Sequence, residues 1–153
     1  DPSRMAVMGA SSGGLVVLNF LASYPDMCAA GVDLYGVTDL QDLASVTYRY
    51  EAHYMDGMVG PLPNAADLYR ARSPISRADA IREPLLVLHG SADKVVPAAQ
   101  SAALVDALRR GGAVVEHHVY PDEGHGWSQP ATRADELDRI EDFLNRHVLN
   151  GEL

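Results

Sequence analysis

The chain has 153 residues, of which 47% are hydrophobic and 22% charged, the size and composition of one globular domain rather than a disordered segment. Its 12 basic and 21 acidic residues leave a net charge of −9, a field that repels phosphate backbones and anionic lipid and so argues against nucleic acid as a partner. Every apolar run is broken by Gly, Asp or Pro well short of the roughly 18–20 residues a bilayer span needs, so no membrane segment is expected. A single cysteine, Cys28, can form neither an internal disulfide nor a cysteine-based zinc site, and it leaves the compartment open. The opening Asp1-Pro2-Ser3-Arg4 has no signal-peptide character and leads at once into an apolar run, which suggests that sequence is missing upstream.

Short apolar runs bounded by turn residues alternate with stretches of helical spacing, the pattern of a parallel sheet with crossover helices. Arg4 to Met8 reads as the first strand, and Gly13 to Ser23 as the helix after it. Ala29 to Tyr35 is the second strand. Gln41 to Ala80 has no strand signal, carries the breaker Gly60-Pro61-Leu62-Pro63-Asn64 and holds Tyr48, Tyr50, Tyr54 and Tyr69; it reads as short helices whose tyrosines pack or wall a pocket. Pro84 to His89 is the third strand, and its unalternated Leu85-Leu86-Val87-Leu88 predicts burial on both faces. Ala98 to Arg110 follows as a helix, with cations in its last turn and a Gly111-Gly112 stop. Ala113 to Tyr120 is the fourth strand. The last helix spans about Pro130 to Val148, with Leu137, Ile140, Leu144 and Val148 as its expected buried stripe. No repeat or linker divides the chain, so one domain is expected.

Between the first strand and its helix lies Gly9-Ala10-Ser11-Ser12-Gly13, a G-x-S-x-G pattern whose small residues allow a sharp turn that presents the Ser11 hydroxyl above the sheet. The rival reading is a dinucleotide-binding turn of the G-x-x-x-G-x-G type. It fails at Leu15, which stands where the last glycine belongs, and the sole lysine, Lys94, has Gly90 rather than tyrosine four residues before it. Ser12 is a weaker nucleophile candidate, since Ala10 precedes it by two and it begins the helix.

A seryl hydroxyl needs a general base within hydrogen-bond reach and an acid to orient that base. Gly90-Ser91-Ala92-Asp93 follows the third strand and places Asp93 at its C-terminal edge; Pro121-Asp122-Glu123-Gly124-His125-Gly126-Trp127 follows the fourth and places His125 in a glycine-flanked turn. All three side chains leave one edge of the sheet in the order Ser, Asp, His. Asp122 and Glu123 are competing acids expected to face solvent. His89 should pack at its strand end, His117 and His118 on opposite faces of the fourth strand, and His53 and His147 on helices, so no metal cluster and no cofactor are expected.

These residues resemble the prolyl oligopeptidase family of serine peptidases, most closely its acylaminoacyl-peptidase and dipeptidyl-peptidase-like members. The likeness extends to Gly31 through Val37, Tyr50-Glu51-Ala52-His53-Tyr54, Tyr69 through Pro74, Pro84 to Pro97 and Tyr120 to Trp127. It implies the C-terminal half of an α/β-hydrolase fold, with about four parallel strands, occupying residues 1–153 without the upstream strands or a β-propeller. It also implies Ser11 as nucleophile, Asp93 as orienting acid, His125 as base and then acid, and the Ser12 backbone N–H as one oxyanion donor. The second donor, usually a tyrosine, belongs to the absent upstream part. The family often has an aromatic residue where Ser12 stands. Strand-end placement and the resemblance together put Tyr35, Gly36, Val95 and Val96 beside the acyl or side-chain pocket. The expected substrate is a peptide or an ester. A peptidase, a carboxylesterase with the same triad and an inactive self-associating fragment remain as readings. The unpaired apolar edge of the first strand implies a homo-oligomer or association with the missing N-terminal half.

Overall fold

The structure is a computed structural model; it describes residues 1–46 and 54–149, so Tyr48, Tyr50 and His53 lie outside the described residues. Four parallel strands, β1 (Ala6–Ala10), β2 (Ala30–Leu34), β3 (Leu85–Gly90) and β4 (Val115–Tyr120), form one sheet in sequential order. The helices are α1 (Ser12–Ser23), α2 (Leu40–Val46), α3 (Tyr54–Met58), α4 (Ala66–Arg72), α5 (Ala98–Arg110) and α6 (Pro130–Leu144). β1 begins two residues later than the apolar run suggests, because Pro2–Arg4 forms a 3-10 turn in which the Asp1 carboxylate accepts from the Ser3 N–H.

The residue alternation of β3 explains the three layers. Leu85 and Val87 pack under α1 and α5 with Leu18, Leu21, Leu104 and Leu108. Leu86 and Leu88 point the other way, into a cluster with Val32, Tyr120, Trp127 and Phe143 beneath α6. Each such side chain taken from water contributes about 1.5–3 kcal/mol. A third cluster of Val37, Leu40, Met55, Tyr69 and Val96 fixes the short helices of the Gln41 to Ala80 region against the sheet's C-terminal edge.

The last helix departs from the expected stripe. Ile140, Leu144 and Val148 pack on the second cluster, but Leu137 is 66% exposed and Phe143 is the residue fully buried. The first half of α6 stands over the open side of the loop carrying His125, where no described element covers it, and Leu137 lines the cavity there. Among the described residues β1 has no strand on its outer side, and Met8 on it is 60% exposed whereas β2 and β3 are buried throughout.

Candidate active site

Ser11 sits between β1 and α1 at φ 54°, ψ −119°, a conformation L residues rarely adopt. Its N–H donates to the Leu34 carbonyl of β2 at 2.9 Å, and its carbonyl accepts the Leu15 N–H, so sheet and helix together hold the strained turn. Gly9 is required because a Cβ there would run into the Gly13 backbone. That close approach lets α1 start directly above the strand end.

Asp93 and His125 come from the turns after β3 and β4. Ala92 N–H donates to the Glu123 carbonyl at 2.9 Å, tying the two turns together. The Ser11 Oγ lies 2.8 Å from His125 Nε2, and His125 Nδ1 lies 2.8 Å from Asp93 Oδ2. An ionised carboxylate can only accept, so Nδ1 carries the proton, and Nε2 accepts from the Ser11 hydroxyl. The other Asp93 oxygen accepts the N–H groups of Val95 and Val96 at 2.8 and 2.9 Å, which fixes the carboxylate plane. His89 lies behind it, 3.4 Å from Asp93 Oδ2, with Nε2 donating to the Val96 carbonyl at 2.9 Å. Burial pushes the His89 imidazolium down, so it stays neutral and adds no competing charge.

Glu123 corrects the sequence expectation: Asp122 is exposed, but Glu123 is fully buried. Its carboxylate accepts from Ser128 N, Ser128 Oγ and Gln129 N at 2.8, 2.8 and 3.0 Å, and these bonds hold its acid well below the usual range, at about 2. It thereby satisfies the donors that precede α6 and braces the turn carrying His125 on both sides. The signal available in sequence was an acid five residues before a serine at a helix start, a cue that reads equally as a solvated charge.

The prolyl oligopeptidase family matches residues 1–151. The chain belongs to the prolyl oligopeptidase family. Its relatives include dipeptidyl aminopeptidase BIII of Pseudoxanthomonas mexicana, 36% identical over 132 residues that make up 83% of this chain and 19% of the relative. Dipeptidyl peptidase family member 6 of Caenorhabditis elegans is 32% identical, with 98% of this chain and 21% of the relative covered. A puromycin-hydrolyzing peptidase of Mycobacterium tuberculosis superposes with a TM-score of 0.92 at 32% identity, covering 97% of this chain and 22% of that one. The chain therefore spans about a fifth of the length of these relatives. The four parallel strands and flanking helices are an α/β-hydrolase arrangement of this prolyl oligopeptidase type.

Within that frame, the Ser12 N–H is the first of α1 and belongs to the set a helix leaves without an intrahelical partner. Tyr35, at φ 42°, sets its ring edge against His125 and Trp127, with centroids 4.8 and 5.1 Å away. It lines a cavity of about 660 Å³ together with His125, Trp127, Arg133, Glu136 and Leu137. A second cavity, about 500 Å³, starts at Ser12 and runs between α1 and the short helices past Leu15, Phe20, Leu43 and Met55. Val95 is exposed near Asp93. Val96 is buried: its side chain is 2% exposed and packs in the third core cluster with Val37, Leu40 and Met55, which line the second cavity, and its N–H and carbonyl are engaged by Asp93 and His89. Gly36 is likewise buried, packed on the Asp33 side chain rather than open to either cavity. Tyr69 is core and donates to the Gly60 carbonyl, whereas exposed Tyr54 lines the second cavity.

Proposed function

We propose that this chain is the triad-bearing part of a serine peptidase that hydrolyses peptide or acyl-peptide bonds through an acyl-enzyme. The observation that carries the reading is the unbroken hydrogen-bond chain from Ser11 Oγ through His125 to Asp93, with Ser11 on a strained turn and the partners on separate strand ends. Family membership supports the peptidase class. In this mechanism Ser11 Oγ attacks the carbonyl carbon while its proton passes to His125 Nε2. The Nδ1 bond to Asp93 stabilises the imidazolium, and the carbonyl oxygen, now negative, meets the Ser12 N–H. His125 returns the proton to the leaving amine or alcohol, and water repeats the sequence on the acyl-Ser11 ester.

Losing one of a pair of oxyanion donors typically costs about 10²- to 10³-fold in turnover. Pairing of the open β1 edge, with another copy or with strands belonging upstream of the nucleophile, would bring further chain beside Ser11. The test is turnover of matched peptide and short-chain ester substrates by the purified chain and by Ser11→Ala. Ser11-dependent cleavage with peptide preferred is the expected result. Ester cleavage alone would favour a carboxylesterase, and turnover unaffected by Ser11→Ala would overturn the reading.

A further inference from the structure

Directly beneath the Ser11 turn lies a carboxyl group that the mechanism does not use. Asp33 is fully buried on β2, in register with Gly9 of β1 and Val87 of β3. It points to the α1 side of the sheet, where a Cβ added at either Gly14 or Gly36 would collide with its Oδ1. Gly14 belongs to the first turn of α1, so this carboxyl is wedged under the same helix end whose first N–H is that of Ser12.

Neither Asp33 oxygen has a hydrogen-bond partner at full geometry among the described residues. Among the titratable side chains of the elements around it, buried His89 stands on the same face of β3, two residues beyond the register partner Val87, and the Gly36 N–H favours the ionised form of Asp33. A helix N-terminus attracts an anion, but here desolvation outweighs that attraction, and burial pushes the Asp33 acid up to about 7.

We propose that Asp33 is a positioning residue for the reaction: a neutral carboxylic acid wedged under the first turn of α1, it sets the height of the Ser11 turn and leaves the positive end of that helix to the developing oxyanion. The role at the oxyanion rests on the function proposed above; the neutral state does not. Ionised Asp33 would place a second negative charge at the helix end where the tetrahedral intermediate places its own, so acylation slows as Asp33 loses its proton.

The test compares the chain with Asp33→Asn, which keeps shape and removes the titration, and with Asp33→Ser as a second neutral variant. Two readouts are taken across pH: the rate of Ser11 modification by a fluorophosphonate and the thermal midpoint. The parent should label more slowly as pH passes about 7. Asp33→Asn should lose that fall. An acid raised from 3.8 to about 7 stabilises the fold below 3.8 and loses that contribution as pH rises to about 7, so the midpoint advantage of the variant should open over this window and stay constant above it.

A midpoint difference independent of pH in both variants would overturn the neutral acid, whether or not Ser11 reacts. A fall in labelling retained by Asp33→Asn would overturn its role at the oxyanion. Absence of labelling in the parent with the midpoint window present would contradict the proposed function and uphold the neutral acid.

Discussion

Replacing Asp93 by Asn keeps the shape of the site but turns one acceptor into a donor, so the Nδ1 proton of His125 loses its fixed place and Nε2 ceases to be a dependable base. The expected effect is a loss of about 10⁴-fold in acylation of Ser11, with an unchanged circular dichroism spectrum. Equal rates for the two proteins would mean that the Asp93–His125 bond does not matter to the chemistry. Glu123 makes a prediction of opposite pH sense to Asp33. Its acid falls from 4.5 to about 2 on folding, so its contribution is complete above 4.5 and disappears as pH falls towards about 2. The thermal midpoint of Glu123→Gln should therefore lie below the parent's at neutral pH and converge on it in acid. A constant offset down to acid pH would show that the Ser128 and Gln129 bonds do not depend on its charge.

Among the elements, α6 separates packing from surface. Phe143→Ala should cost about 3–5 kcal/mol in urea unfolding, because it empties a fully buried site under the sheet. Leu137→Ala should change stability by no more than about 0.5 kcal/mol, its side chain being in the open cavity beside His125. A large loss at Leu137 would show that something packs on it. This pair also shows what the sequence could disclose. Helical period placed the stripe of Ile140, Leu144 and Val148 correctly, but period cannot see where a helix overhangs a cleft. The strands and α5 were legible because turn residues bound them and β3 alternates into two cores. That Ser11, Asp93 and His125 come together was legible because each follows a strand, and strand ends share an edge. The burial of Val96 was not legible because the bonds of Asp93 and His89 turn its backbone inward, and Asp33 was missed because its burial depends on Gly14, distant in sequence, as well as on Gly36 three residues on.

At the scale of the molecule, β1 and β4 are the two edges of the sheet among the described residues, and β1 is the one without a charged or histidine side chain. Met5, Met8, Val16 and Tyr24 are exposed on β1, beside it or on α1, and a parallel strand with an unpaired apolar edge favours strand addition. The chain should therefore self-associate in solution, and Met8→Lys should shift it to monomer in light scattering without lowering its helix content. A parent that is monomeric at every concentration would show that the β1 edge does not drive association. One stretch of chain is proposed to assemble a working nucleophile, base and acid. The most direct test is intact-mass analysis after exposure to a fluorophosphonate, run beside Ser11→Ala and His125→Ala. One adduct per chain is expected, abolished by either substitution. A folded chain that takes no adduct, or one that labels equally well without His125, would contradict it.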